Sequence, residues 1–588
     1  MVYRREKANY DKSPAVQVST SSGSAKQGWE AIAEQIKAEI ANCGLNRCVL
    51  TIESYHGVAL SEIETALLDR LNPALVLFAD EARLDQNDID AMLARFITDD
   101  RVFGYLAPHK LGDFFSAERL KALRDKIASV KQGLIVVTGT GASLIHQGDI
   151  RIYADMPRWE IQQRFRRGEL DNWGAGNYSE DILRRYKRAF FIEWRVFDRF
   201  KVKVLPQSDF YLDTTKPFKP VLVETTDYLL ALKNLTTRPF RLVPFFDEGV
   251  WGGQWMKEVC DLDKQRKNYA WGFDCVPEEN SLNLKFGTIP VETPAINLVL
   301  LEPQALLGDH VHARFGAEFP VRFDFLDTFA GQNLSLQVHP LTEYIQQEFG
   351  MHYTQDESYY LLDAAEDAEV YLGTKDNTQA QEMISALQAA QDEGLPFDSD
   401  KYINRFPARK HDHFLIPAGT VHCAGSGSLV LEISATPYIF TFKLWDWGRK
   451  GADGLPRPIH LEHGKEAIQW DRNGTWVKQN LINRVELLAE GEGWKEERTG
   501  LHEREFIETR RHWFSKPVMH TTGGTVNVLN LIEGEEAVVE SPTGAFEPFV
   551  VHYAETFIIP AGVSCYQIRP AGVSAGKTLA TLKAFVRG

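Results

Sequence analysis

Three short stretches of this chain carry residue types that can converge on one metal ion. They are Leu336-Gln337-Val338-His339-Pro340, Asp356-Glu357-Ser358-Tyr359-Tyr360 and Pro417-Ala418-Gly419-Thr420-Val421-His422. Gln337 and His339 sit two apart in a β-rich run, NLSLQVHP, and on a strand residues i and i+2 point to the same face. Glu357 opens a second run, ESYYLL, with aromatic and apolar strand formers behind it. His422 follows a Pro-Ala-Gly turn that closes the apolar run FLIP. Two imidazoles, one carboxylate and one amide oxygen suit a zinc-type divalent ion and leave room for water or substrate. Any one of these histidines alone would read as an ordinary core or surface group; the ordered set of segments carries the signal.

The elements that must position these residues are strands. From about residue 240 onward, β-branched and aromatic runs separated by Gly and Pro dominate, which predicts β-barrels or sandwiches. A helical insert, NTQAQEMISALQAAQDEG at 377–394, lies between the Glu357 strand and the His422 turn. The hexapeptide from Phe414 to Gly419 (FLIPAG) returns from Phe557 to Gly562 as FIIPAG. Two copies of one β-unit fit a double barrel. In the second copy Cys565 stands where His422 stands in the first, and the preceding GTVNVLNLIEGE has no QVH-like pair. The second barrel is therefore expected to lack the metal and to serve packing.

The order and context of the three stretches resemble the class I mannose-6-phosphate isomerases, which are zinc-dependent cupins. Trp251-Gly252-Gly253 after Pro244-Phe245-Phe246, Leu429-Val430-Leu431-Glu432, and Pro456-Arg457-Pro458-Ile459-His460 match further motifs of that family. The resemblance covers residues 240–480 well and 510–588 more loosely. It implies a jelly-roll double cupin holding one zinc or other divalent ion per chain, with Gln337, His339, Glu357 and His422 as metal ligands. It implies an aldose–ketose isomerase that interconverts mannose 6-phosphate and fructose 6-phosphate through an enediol. Glu432 is then the candidate base, and Lys443, followed by Arg449, stands near the family's arginine. The chain departs from the family pattern at three places. Lys443 supplies charge but not arginine's bidentate fork. Gln355 and Asp356 stand where the family has a lysine before the metal Glu, and Asp324 stands near another expected lysine. A phosphate dianion wants Lys or Arg within reach, and Arg322, Lys375, Arg409 and Lys410 are the nearest substitutes in sequence. These losses motivate a second reading, a non-catalytic sugar-binding or regulatory cupin.

The first half has a different texture. Residues 1–27 are polar and Ser-rich and are expected to form a flexible arm. Between 28 and 212 short apolar strands (Cys48–Ile52, ALVLFAD, GLIVVTGTG, IRIYADM and VKVLP) alternate with helical runs, which predicts a parallel sheet covered on both faces. Residues 213–239 read as a linker, 240–480 as the metal-binding domain and 481–588 as the second cupin. The α/β texture resembles a P-loop nucleoside kinase, with Arg158, Arg164, Arg166 and Arg167 placed like a kinase lid. A working P-loop needs GxxxxGK followed by Ser or Thr. Here the first loop, Glu53-Ser54-Tyr55-His56-Gly57-Val58, has no lysine, and neither does Gly139-Thr140-Gly141-Ala142-Ser143. The expectation is a kinase-like domain without kinase activity.

Composition bounds the rest. A chain of 588 residues holds about two to four domains. Its 44% apolar and 25% charged residues are those of an ordinary globular protein. A net charge of −16 argues against nucleic acid or an acidic membrane as partner. The N-terminus lacks the apolar core of a secretory signal, and no apolar run approaches the ~20 residues that span a bilayer. Six scattered cysteines fit reduced thiols in a cytoplasm. The expected partner is a small sugar or sugar phosphate; the sequence leaves the oligomeric state open.

Overall fold

The computed structural model describes residues 8–18, 25–450, 457, 459–500, 502 and 504–588. Parts of the expected polar arm, residues 1–7 and 19–24, lie outside these, as do Pro456 and Pro458 of the later motif. The chain forms two compact units. One holds Ala15–Asn234 with Pro277–Glu302, the other Met1–Pro14, Leu235–Val276 and Pro303–Gly588.

The first unit is built on a seven-stranded sheet. Its order is Lys26–Gln27, Val221–Glu224, Phe210–Asp213, Ile150–Asp155, Arg47–Ser54, Gly133–Gly139, Leu75–Phe78. The last five run parallel, and strands such as Cys48–Ser54 are buried along their whole length, as a sheet covered on both faces requires. Ile32, Ile36, Ile52, Leu67, Val136 and Ile152 meet in its core. Three expectations fail here. VKVLP is not a strand but the end of the helix Trp194–Val204 and a following 3-10 turn, because Lys201 and Leu205, four apart, both face inward. The expected linker 213–239 is structured: Val221–Glu224 joins the sheet, and Thr225–Leu235 is a helix carrying buried Tyr228 and Leu232. The hairpin Ser281–Phe286 and Ile289–Pro294, assigned by sequence to the metal-binding domain, pairs with Ala15–Val18 of the expected flexible arm.

The second unit contains two pairs of antiparallel sheets. The first pair joins a six-stranded sheet (His413–Ile416, Asp356–Ala364, Ser428–Ala435, Arg322–Asp327, Trp271–Cys275, Phe245–Asp247) to a five-stranded one (Ile403–Pro407, Glu369–Thr374, His422–Ala424, Leu336–Val338, Phe442–Trp445). The insert forms the helix Ala380–Asp392. The second pair joins six strands from Glu486–Gly491 through Thr556–Ile559 to four, Val518–Thr521, Cys565–Pro570, Glu536–Glu540 and Phe549–His552. Phe514, Leu531, Val539, Phe557, Tyr566 and Ile568, drawn from both of those sheets, pack as one core. The repeated hexapeptide plays one structural part twice. In each copy a strand (His413–Ile416, Thr556–Ile559) runs into the Pro-Ala-Gly turn and out into a strand of the facing sheet (His422–Ala424, Cys565–Pro570).

Candidate metal centre

His339, Glu357 and His422 come together between the facing sheets of the first pair, with one ligand atom of each within 4.8 Å of the others. Two carboxylate oxygens face two imidazoles: His339 Nε2 lies 3.1 Å from Glu357 Oε2, and His422 Nε2 lies 2.9 Å from Oε1. All three are essentially sealed from solvent, at 0–1% exposure. Gln337 pairs with His422 across the ladder and its amide nitrogen is 3.2 Å from His422 Nε2. The same amide turned about its last bond presents Oε1 at that place. The structure thus brings the four expected residues together.

Local features fix their orientation. His339 Nδ1 faces the Phe440 carbonyl at 2.9 Å and His422 Nδ1 the Thr420 carbonyl at 2.8 Å. A carbonyl only accepts, so each Nδ1 carries the proton and each Nε2 turns a lone pair toward Glu357. Gln355, which replaces a family lysine, donates to Glu357 Oε2 at 2.9 Å and accepts from the Phe440 amide at 3.0 Å. The His422 turn is locked from several sides. The Gly419 amide donates to the His339 carbonyl, and Gly419 adopts φ +92° where a Cβ would strike Gln469 at 2.5 Å. Asp356 accepts from the Ala418 amide, and buried Arg472 donates to the Pro417 carbonyl and the Thr420 hydroxyl. Arg472 was not legible as a site residue, because it belongs to no spaced motif and acts through the backbone of the turn.

Burial opposes charge on Glu357, but the two imidazoles outweigh it and hold its carboxyl well below the usual range. Burial likewise opposes the His339 imidazolium, and Glu357 again prevails, so that pKa is raised. Even so, His339 Nε2 and Glu357 Oε1 are buried atoms without a hydrogen bond of sound geometry among the described residues. Imidazole nitrogens and carboxylate oxygens turned toward one point, only part of them met by the Gln337 and Gln355 amides, are what a cation coordinated by nitrogen and oxygen would satisfy. The donor set fits a borderline divalent ion.

Register places the remaining expected residues. Glu432 pairs with both Asp324 and Tyr359, and Ser434 with both Arg322 and Glu357. Directly paired residues share a face, so Glu357, Ser434 and Arg322 form one row and Tyr359, Glu432 and Asp324 the next. Glu432 therefore lies beside the His–Glu–His group. Burial first, then the neighbouring Asp324 and Glu357 charges, push its pKa well up. Lys443 pairs with Gln337 and so shares the face of His422. Arg449 does not join them. Its guanidinium is engaged by Asp446 at 2.6 Å and the Asn333 carbonyl at 2.7 Å. Burial lowers its pKa, and the nearest opposing charge is that of Asp446, not of any group in the metal cluster. Of the four possible substitutes for the missing lysines, only Arg322 is on the metal face. Lys375 holds the Asp400 carbonyl, Lys410 pairs with Glu533, and Arg409 is exposed.

In the α/β unit the two loops without lysine close on each other. The Glu53 carboxylate accepts from the Gly141 amide at 2.6 Å and the Ser143 amide at 2.8 Å. Three of the four arginines expected as a lid are paired within the unit, Arg158 on Asp198 and Glu278, Arg164 on Glu160 and the Gly57 carbonyl, Arg167 on Glu160 and Glu169, and the fourth, Arg166, is exposed over the Trp159 ring.

Among the described residues no helix is long and apolar enough to cross a membrane. A family model described as a domain of unknown function, DUF8485, matches residues 28–237. The chain is 29% identical over 240 residues to the mannose-6-phosphate isomerase ManA of Bacillus subtilis (strain 168), which covers 40% of this chain and 69% of the relative. It is 27% identical over 234 residues, with the same two shares, to the probable mannose-6-phosphate isomerase GmuF of that organism. Among solved structures, the mannose 6-phosphate isomerase from Bacillus subtilis aligns at a TM-score of 0.48 and 18% identity, over 59% of this chain and 99% of that one. Over about 40% of its length this chain is homologous to mannose-6-phosphate isomerases.

Proposed function

We propose that the β unit is a metal-dependent aldose–ketose isomerase of the cupin type, acting on a phosphorylated hexose, with mannose 6-phosphate and fructose 6-phosphate as the first pair to test. The observation that carries this is the sealed His339–Glu357–His422 group with its inward lone pairs, in a segment homologous to such enzymes. Gln337, His339, Glu357 and His422 would hold the ion, one per chain, zinc being the first choice for this donor set. A bound divalent ion supplies polarisation of the sugar carbonyl and stabilisation of the charge that develops on oxygen.

The chain's own residues supply the rest. Glu432, on the face of Glu357 and raised in pKa, is suited to take a proton from one carbon and return it to its neighbour. Lys443 and Arg322 give that face its positive charge and are the groups to meet an enediolate or phosphate. Arg449 is given a positioning role instead. It ties Asp446 to the loop that feeds the Leu336–Val338 strand. The test is turnover of mannose 6-phosphate together with metal content on the same sample. Turnover that disappears in His339→Ala supports the proposal. A metal-loaded wild type that isomerises no phosphorylated hexose sinks it and leaves the sugar-binding reading.

For the α/β unit we propose a P-loop kinase-like fold that transfers no phosphate. Support comes from Glu53, whose carboxylate sits where backbone amides would otherwise cradle an anion. ATP hydrolysis by the full chain that is lost on altering this unit would overturn it.

A further inference from the structure

The second sheet pair, expected from sequence to be packing only, contains a buried polar cluster. Its members follow from register. Glu496 pairs with His512, His512 with Thr581, and Thr581 with Leu531, making one row across four strands. Leu531 is a core residue, so the row faces inward. The adjacent row brings Arg510, Lys583 and Leu529 to the same face. From the opposing sheet comes His520, paired with Tyr566 and stacked on its ring. The His512 and His520 rings are 4.4 Å apart between centroids, one from each sheet.

The hydrogen bonds leave this cluster incomplete. His512 Nε2 is 3.1 Å from Glu496 Oε1, and the Arg510 guanidinium is 3.0 Å from the same oxygen. An ionised carboxylate only accepts, so Nε2 carries the proton and His512 Nδ1 is a bare lone pair. That atom, His520 Nε2 and Thr581 Oγ1 are all buried with no hydrogen-bond partner among the described residues. An imidazole whose far N–H is held by a carboxylate, with its near nitrogen free, is the arrangement that orients a histidine for a metal. The local charge is nearly balanced. Arg510 is neutralised by Glu496 at 3.0 Å and Glu508 at 2.6 Å, which leaves Lys583 as the buried cation of the cluster.

We propose that His512 Nδ1 and His520 Nε2 form a second metal site, for a borderline divalent ion such as Zn2+, Co2+, Ni2+ or Cu2+, separate from the His339–Glu357–His422 group. Two imidazoles select these ions over Mg2+ or Ca2+. Thr581 Oγ1 is within the same row as a third, weaker donor. Lys583 favours a small anion, such as hydroxide or chloride, as the remaining ligand. No sugar chemistry is assigned to this site, and it does not depend on the isomerase reading.

The test uses the full chain, stripped of metal and titrated with Co2+, read by visible absorption and by bound metal per chain. The His339→Ala/His422→Ala variant isolates the second site. It is expected to retain about one Co2+ per chain, and Glu496→Gln in that background to weaken binding by about 10–100-fold. Further replacement by His512→Ala and His520→Ala is expected to abolish it. Should that variant not fold, Cu2+ bound to the His339→Ala/His422→Ala chain must show two nitrogen ligands in its electron paramagnetic resonance spectrum. The proposal is overturned if the isolated site takes up no Co2+ at millimolar concentration, if uptake is unchanged without His512 and His520, or if the bound Cu2+ shows no nitrogen.

Discussion

Glu53 of the α/β unit and Glu357 of the β unit are equally buried, at 2% and 1% exposure, Glu53 near the end of its strand and Glu357 near the start of its own. Their surroundings differ in kind. Glu53 is met by backbone amides of a turn that cannot leave or change protonation, and with burial the larger influence its pKa rises to about 7. Glu357 is met by two imidazoles, groups that can carry positive charge or coordinate an ion, and despite burial their charge lowers its pKa. Burial alone does not mark a functional carboxylate. What marks it is a set of partners that would all prefer something else in the middle. Glu53 is closed on its own fold, whereas Glu357 is in a group that an ion would complete.

This contrast can be broken at four points, taken from the largest expected effect. Glu357→Gln should abolish metal retention and lower isomerisation kcat/KM by at least about 10²–10³-fold, read by elemental analysis and turnover. The same change at Glu53 should leave both untouched. Next is the interior of the α/β unit, where Lys201 bridges Asp155 at 2.9 Å and Asn297 at 2.9 Å with almost no exposure. Lys201→Ala strands a buried carboxylate and should cost about 3–5 kcal/mol in chemical denaturation, while Lys201→Met with Asp155→Leu should recover most of it.

Third is pH. Glu53 is raised from 4.5 to about 7 and Asp213 from 3.8 to about 7, both chiefly by burial. Across that window the unfolded chain has lost these protons and the folded chain keeps them. Stability of the α/β unit should therefore be highest below pH 4, fall by on the order of 3–4 kcal/mol per group as pH rises to about 7, and level off above. A denaturation series in which stability rises over this range would show that Glu53 is ionised in the fold. The smallest effect belongs to Gln355→Leu, which removes the donor to Glu357 Oε2 and should weaken metal affinity by about 10–100-fold with little loss of fold stability, measured by competition with a chelator.

The metal group was legible because strand geometry is periodic. Gln337 and His339 two apart, and a Gly-containing turn before His422, encode direction without any knowledge of what lies opposite. Glu432 was found by resemblance, and only pairing with Asp324 and Tyr359 showed which way it faces. Arg322 gained its place in the same manner. Gln355 was read only as a departure from the family's lysine, and Arg472 was not noticed, because each acts through a partner far away in sequence, 85 residues for the Gln355–Phe440 bond and 55 for Arg472–Pro417. The failures in the α/β unit have the same root. The polar stretch before Trp29 contributes a strand only because Ser281–Phe286 offers an edge to it, and such an edge is invisible to local composition.

The division of the chain into two units passes through the sequence four times, at residues 14–15, 234–235, 276–277 and 302–303. The α/β unit's buried network includes Thr293 and Asn297, contributed by the returning segment. During synthesis this unit therefore cannot complete its interior until residue 302 has left the ribosome, by which time the opening strands of the β unit are already present as unpaired chain. At about 5–20 residues per second, that means several seconds during which the two halves are nascent together. It also means that no single cut of the chain yields either unit whole.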